Sequence, residues 1–250
     1  MEKIPALVVA GGRIAGEYAE AAGTTVKALI PVGGRPVIDY LLATLRELPQ
    51  IGAVCVVGPE EIRDALRPDA IWEAEAGSGP ANVLMGIRRL GVPQRLLLCA
   101  SDTPMIGAEA LADFRDRAPD EADLCLPLVP KGIYLTRYPD GQDEFVRLKE
   151  GEVTAGGQFL IRTELILRNM TLIERLFNAR KSQVGMALAI GPMVVAKFLA
   201  GKLSVGDIED KLSQLTGCRC RAVPDCRPEL AFDIDDLADL RYAERLLTPG

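Results

Sequence analysis

Short apolar runs recur along the first hundred residues. Ala6 to Ala10, Ala53 to Val57 and Leu96 to Ala100 carry no charged side chain. Runs of this length suit strands of a parallel sheet that is buried on both faces. Between them the period changes. From Pro36 to Glu47 the apolar positions are Val37, Ile38, Leu41, Leu42 and Leu45, which is one face of a helix, and Pro36 suits its first turn. Pro80 to Leu90 places Val83, Leu84 and Ile87 on one face of a second helix. Strands alternating with helices predict a doubly wound α/β fold.

After about Pro119 the alternation weakens. Leu124 to Val129 predicts a strand, and so does Gln158 to Arg162. The stretch from Pro130 to Val153 is rich in charge, Gly and Pro, and reads as irregular apart from a short strand at Phe145 to Leu148. Thr163 to Leu215 is mostly helical in pattern, with Gly191-Pro192 and Gly201 as punctuation. Ser204-Val205-Gly206-Asp207 reads as a capping box, which makes Asp207 a cap rather than a functional carboxylate. An apolar stretch from Leu230 to Ile234 precedes a last helix from about Asp236 to Leu247. No repeat or low-complexity linker divides the chain, so one domain over residues 1–250 is expected.

Composition narrows the chemistry. The chain has 250 residues, 48% apolar and 26% charged, which is ordinary globular usage with enough apolar material for a core. The formal net charge is -6 and no basic tract stands out, which argues against a nucleic-acid groove. No apolar run is long enough to span a bilayer and the N-terminus lacks a signal peptide's layout, so a soluble cytoplasmic protein is expected. Of the six cysteines, Cys55, Cys99 and Cys125 lie within apolar runs as small hydrophobes. Cys218, Cys220 and Cys226 match no common zinc spacing. There is no histidine at all. That excludes Ser-His-Asp and Cys-His catalysis and the usual zinc hydrolases. Chemistry is left to carboxylates, lysine, arginine, hydroxyls, backbone amides or a metal held by oxygen.

Several blocks could carry it. The first strand ends in Gly11-Gly12, where the backbone can turn sharply and approach phosphates closely. Lys27 follows in the string Lys27-Ala28-Leu29-Ile30-Pro31-Val32-Gly33-Gly34-Arg35-Pro36 and can place a point charge on those phosphates. Asp102 follows a strand in Cys99-Ala100-Ser101-Asp102-Thr103-Pro104-Met105, so it sits at the carboxyl edge of the sheet, where ligands bind in open α/β folds. Asp233 ends another apolar stretch and could join Asp102 on Mg²⁺. Asp102 could instead cap the helix after Thr103-Pro104, and Asp235 or Asp236 could cap the last helix. Position favours the metal role for Asp102 and Asp233, divides Asp235 between metal and cap, and leaves Asp236 and Asp239 to capping or solvation. Gly77-Ser78-Gly79-Pro80-Ala81-Asn82 opens a helix, either as a plain starting loop or as a surface that receives a ligand. Lys131, Arg137, Arg147 and Lys149 form one candidate basic group, and Arg180 with Lys181 a second.

Together these blocks resemble the MobA-like NTP transferase family of the glycosyltransferase-A-like fold. Thr154-Ala155-Gly156-Gly157-Gln158-Phe159 is similar to that family's acceptor-side segment, and Phe232-Asp233-Ile234-Asp235-Asp236 to its closing motif. The resemblance spans nearly the whole chain in order. It departs after Gly12, where Arg13-Ile14-Ala15-Gly16-Glu17-Tyr18 begins a longer loop that carries Glu17 and Glu20, and at Gln158, where relatives often have asparagine.

The resemblance implies a three-layer nucleotide-diphospho-sugar-transferase-like α/β fold with a mostly parallel mixed central sheet and a helical C-terminal part. Residues 1–118 would form a nucleotide-binding half and 119–250 an acceptor-binding half. It implies Lys27, Asp102 and Asp233 as catalytic residues and Asp102, Asp233 and Asp235 around Mg²⁺. Ala10, Gly11, Gly12, Arg13, Lys27, Gly79, Asn82 and Ser101 would bind the nucleotide. Lys131, Gly156, Gly157 and Gln158 would bind the acceptor. The expected partners are a nucleoside triphosphate and a small phosphorylated acceptor, without nucleic acid or membrane, and a homodimer is allowed. An ionised acceptor phosphate attacking the α-phosphorus needs no general base, which suits a chain without histidine. Two rivals share the fold: a sugar transferase using a nucleotide sugar, and a nucleotide-sensing protein without catalysis. A dinucleotide oxidoreductase lacks its G-x-G-x-x-G spacing here.

Overall fold

The computed structural model describes residues 3–179, 182, 185–186 and 190–248. Its strands, in chain order, are β1 (Ile4–Val9), β2 (Pro31–Val32), β3 (Arg35–Pro36), β4 (Ile51–Gly58), β5 (Ala70–Ala74), β6 (Arg95–Ala100), β7 (Leu124–Pro130), β8 (Val146–Leu148), β9 (Gly151–Ala155), β10 (Gln158–Arg162) and β11 (Cys220–Val223). The three apolar runs are β4, β1 and β6, paired side by side in parallel. β5 extends this parallel layer beyond β4. β10 runs antiparallel between β6 and β7. The resulting nine-stranded sheet has the order β5-β4-β1-β6-β10-β7-β9-β8, with β11 also on β7, and β2 and β3 form a separate ribbon.

Helices cover both faces, giving the three layers that the resemblance implies. They include α1 (Gly16–Ala22), α2 (Val37–Glu47), α3 (Gly79–Arg89), α4 (Ala108–Arg117), α5 (Lys131–Arg137), α6 (Thr163–Arg168) and α7 (Met170–Ala179). The period-2 alternation of strand side chains divides the core. Ala6, Val8, Val56, Leu97 and Cys99 pack with Ile38, Leu41 and Leu45 of α2, Phe114 of α4 and Leu240 of the closing helix Leu237–Leu247. Leu7, Cys55, Val57 and Leu96 face the other way, onto Ile87 of α3 and Leu165 and Ile166 of α6. A third, smaller cluster joins Leu148 to Ile190, Val194 and Leu203.

The helical stretch breaks where its glycines stand, with Gly191 at φ 145° and Gly201 at φ 63°. The capping box forms as read: Asp207 N–H donates to Ser204 Oγ and Ser204 N–H to Asp207 Oδ2, both at 3.1 Å. Other elements escape the sequence pattern. β5, α1, α4, β9 and β11 are too short or too mixed in polarity to announce themselves. The segment read as irregular holds α5 and β9, because Tyr134 and Tyr138 bury almost completely against Phe232 and Phe145 in an aromatic cluster. Leu230 to Ile234 is not a strand: Leu230 closes a 3₁₀ turn at Pro228–Leu230, Ala231 continues the turn, and Phe232 to Asp235 follow without regular structure.

Gly86 lets α3 lie close on the sheet, since a Cβ there would fall 2.1 Å from Leu7 Cδ1 and 3.0 Å from Val57 Cγ2. Gly86→Val is expected to destabilise the fold by about 1–3 kcal/mol through overpacking, read as a lowered urea midpoint with unchanged slope.

Candidate functional site

The site lies at the carboxyl ends of the parallel strands, as expected for an open α/β sheet. β1 delivers Ala10, which is wholly buried, and then Gly11 and Gly12. Neither glycine has a positive φ. They are needed for close approach rather than for a sharp turn. A Cβ on Gly11 would lie 2.7 Å from both Asn82 Nδ2 and Glu75 Oε2, and one on Gly12 would lie 3.3 Å from Lys27 Cβ.

The longer loop after Gly12 is an excursion that closes on itself. Arg13 bridges Val26, Ile14 N–H donates to Thr25 O at 3.0 Å, and Lys27 N–H donates to Gly12 O at 3.0 Å. α1 is accommodated within this loop, so Lys27 arrives beside Gly12 despite the distance along the chain. The Tyr18 hydroxyl of α1 donates to Ile234 O at 2.7 Å and ties the loop to the closing motif.

Lys27 Nζ bonds both Asp102 Oδ2 and Asp235 Oδ1. Asp102, Asp233 and Asp235 bring carboxylate oxygens within 4.8 Å of one another. Alternation sets this up: Phe232 and Ile234 bury at 1% and 0% exposure, which turns Asp233 and Asp235 the other way. Ile234 N–H donates to Asp102 O at 3.2 Å and holds the two loops together. Asp102 does not cap a helix, because α4 starts at Ala108 with Gly107 as its cap. Asp236 caps the closing helix in a reciprocal box with Asp239, which frees Asp235 for Lys27.

The electrostatics follow from the crowding. Burial pushes the Asp233 carboxyl well above the ordinary range, and the charges of Asp102 and Asp235 add to this while Lys27 opposes it. Burial by itself would lower the Lys27 ammonium, but Asp102 and Asp235 overcome it and raise the group. Asp102 Oδ1 is buried and has no hydrogen-bond partner. An all-oxygen donor set with an orphaned carboxylate oxygen fits a hard divalent cation such as Mg²⁺.

Beyond Gly12 a cleft of about 620 Å³ is lined by Gly11, Gly12, Arg13, Glu75, Gly79, Asn82 and Phe177, among others. Arg13 forms an ion pair with Glu75, and its Nη1 donates to Gly11 O at 3.0 Å. Asn82 is buried and accepts from Ala76 N–H at 2.6 Å. It is not the helix cap; Ser78 is, accepting from Ala81 N–H at 3.2 Å. Ser101 is buried beside Asp102.

On the expected acceptor side, Gly156, Gly157 and Gln158 lie inside the structure and Lys131 at its surface. Gly156 and Gly157 form an irregularity between β9 and β10, along their shared partner β7. A Cβ on Gly156 would lie 2.6 Å from Leu230 O, and Gly157 N–H donates to that same oxygen at 3.1 Å. They join the sheet to the turn before Asp233. Gln158 is fully buried and donates to Thr103 Oγ1 at 3.4 Å, which supports the Asp102 loop instead of reaching solvent. Lys131 pairs with Glu152 at 3.1 Å, and Arg137 with Glu229 at 3.6 Å. Arg147 lies on β8 and Lys149 just after it, while Arg180 and Lys181 lie outside the described residues.

The MobA-like NTP transferase domain matches residues 6–138, more than half of the chain. The chain belongs to this family. It is 30% identical to a hypothetical transferase from Thermus thermophilus, whose structure superposes with a TM-score of 0.84 over 95% of this chain and 99% of that one. It is 26% identical to the bifunctional protein GlmU of Paracoccus denitrificans, a match covering 97% of this chain but 52% of that protein, so it spans about half of that relative's length. A 2-C-methyl-D-erythritol 4-phosphate cytidylyltransferase, also from Thermus thermophilus, shares the fold at 19% identity, with a TM-score of 0.55 and 99% of each chain covered. No helix among the described residues is long and apolar enough to cross a membrane.

Three residues of this MobA-like site carried no signal in the sequence. Glu75 follows an edge strand without a motif, and Phe177 reaches the cleft from α7. Asp143 accepts from Thr154 Oγ1 at 3.0 Å, and its carboxyl is pushed up to about 6, first by burial and in part by the charge of Asp235. Between the ordinary 3.8 and about 6 the folded chain therefore keeps a proton that the unfolded chain has released, and stability falls as pH rises through this window. Asp143→Asn, which can still accept from Thr154, is expected to flatten that fall in chemical-denaturation midpoints measured in chelator. Part of the slope should remain, because the Asp239 carboxyl is also pushed up to about 6 by burial.

Proposed function

We propose that the chain transfers a nucleoside monophosphate from a nucleoside triphosphate to a small phosphorylated acceptor and releases pyrophosphate. The observation that carries this reading is the convergence of Lys27 and three carboxylates beside a glycine-lined cleft. In this reading the backbone of Gly11 and Gly12 lies along the triphosphate, which no side chain there obstructs. Asp102, Asp233 and Asp235 would hold magnesium. Bound there, magnesium supplies charge neutralisation to the phosphate oxygens of the reaction. Lys27 leaves its carboxylate partners for the triphosphate and follows the negative charge onto the departing pyrophosphate. Lys131 would exchange Glu152 for the acceptor phosphate. No residue has to take a proton from the nucleophile, because a phosphate oxygen is already ionised. Sugar transfer from a nucleotide sugar would use the same carboxylates, but it would have less need of a lysine beside the glycine backbone.

Thermal shifts with ATP, GTP, CTP and UTP, each with and without Mg²⁺, test the nucleotide reading. A triphosphate at a hundred times its dissociation constant adds about 2.7 kcal/mol. A magnesium-dependent rise in Tm with at least one triphosphate is expected, and its absence with all four would overturn the reading. Lys27→Ala is expected to weaken triphosphate binding roughly 10- to 100-fold, the loss of a charge-assisted hydrogen bond. Asp102→Asn should lower pyrophosphate release at least about a hundredfold while leaving the fold intact. Normal turnover in that variant would remove Asp102 from the metal site.

A further inference from the structure

The cleft has two ends. One is fixed by Gly12, whose carbonyl oxygen takes the Lys27 N–H and whose Cα lies against the Lys27 side chain. The other is the first turn of α3, at Ser78 and Gly79. If the triphosphate lies by Gly12 and Lys27, as the proposed function has it, the nucleobase extends toward Gly79. Apart from Val9, the lining along the way is small or polar: glycines, Ala76, Ser78, Asn82, Glu75 and Arg13. One ring stands among them. Phe177 is the sole aromatic side chain lining this cleft among the described residues, and it comes from α7, nearly a hundred residues further along the chain.

Phe177 is set against α3 in a way that only glycine allows. A Cβ at Gly79 would lie 2.5 Å from Phe177 Cζ and 2.6 Å from Cε2, so the ring lies directly over the Gly79 backbone. α7 is itself supported, since Met170 and Ile173 pack on the cluster of Leu165, Ile166 and Ile87. The ring is therefore held at the base end while remaining partly exposed to the cleft. A flat apolar surface at that position suits the face of a nucleobase, and every base has such a face.

We propose that Phe177 is the stacking platform for the nucleobase, so that α7 completes a nucleotide site otherwise built by the first half of the chain. The inference rests on the nucleotide reading above. It makes Phe177 a source of affinity that does not choose between bases, and leaves that choice to polar groups of the cleft.

The test compares binding of ATP, GTP, CTP and UTP with binding of inorganic tripolyphosphate, all with Mg²⁺, by titration calorimetry. The proteins are wild type, Phe177→Ala, Phe177→Leu and Phe177→Trp. Phe177→Ala is expected to weaken binding of the preferred nucleotide roughly ten- to a hundredfold, with Phe177→Leu close behind and Phe177→Trp within a few-fold of wild type. Tripolyphosphate, which has no base, should bind all four proteins equally. Equal losses for nucleotide and tripolyphosphate would show that the ring merely supports α3, and unchanged nucleotide affinity in Phe177→Ala and Phe177→Leu would show that it does not meet the base. Either result overturns the proposal while the nucleotide reading stands. Failure of wild type to bind any of the four nucleotides would overturn both. Phe177→Leu keeps the apolar bulk over Gly79, so the comparison survives even if Phe177→Ala loosens α7.

Discussion

Three carboxylates, from Asp102, Asp233 and Asp235, meet at the edge of this sheet with the ammonium of Lys27 bonded to two of them. Like charges at such spacing repel strongly where water is scarce, and the raised Asp233 carboxyl registers that repulsion together with its burial. The arrangement persists because the surrounding structure fixes it. Backbone bonding between Asp102 and Ile234, the Tyr18 hydroxyl on Ile234, and burial of Phe232 and Ile234 leave the aspartates little freedom to separate. Such a cluster is costly to the folded state without a counter-charge and well suited to one with it. Lys27 supplies part of that counter-charge, and a cation held as proposed would supply more.

The glycines of the site serve the same end by a different route. Gly11, Gly12, Gly79, Gly156 and Gly157 all have ordinary φ, so conformational permissiveness does not explain them. Each stands where a side chain would strike a neighbour: Asn82 and Glu75 at Gly11, Lys27 at Gly12, Phe177 at Gly79, Leu230 at Gly156 and Ala100 at Gly157. The site is thus assembled by close approach of backbone to functional side chains. The Gly156-Gly157 pair belongs to this scheme, because it draws β6, β10 and the turn before Asp233 together. Gln158 continues it from below by holding Thr103.

Much of the fold was legible in the chain because short apolar runs and helical faces are local signals. β1, β4 and β6 could be read from unbroken apolar runs and α2 and α3 from period, and both capping boxes at Ser204 and Asp236 involve groups only a few residues apart. The elements that escaped are held by tertiary contacts. α5 exists because Tyr134 finds Phe145, across a charged and irregular stretch, and Tyr138 finds Phe232, far off in sequence, and β5 is a half-buried edge strand whose polarity is mixed.

At the site the division is similar. The sequence by itself determined the chemical repertoire: no histidine, a lysine after a double glycine, and aspartates at strand ends. Asp102, Asp233 and Lys27 were joined as a set by the family resemblance that their blocks carry. Only the tertiary structure decided that Asp235 joins Lys27 while Asp236 caps, that Gln158 and the Gly156-Gly157 pair support the site from within, and that Asp143, Glu75 and Phe177 stand near it. The physical reason is that residue type and local period fix what a side chain can do, whereas its partners come from strand order and close packing between segments distant along the chain, which no local pattern records.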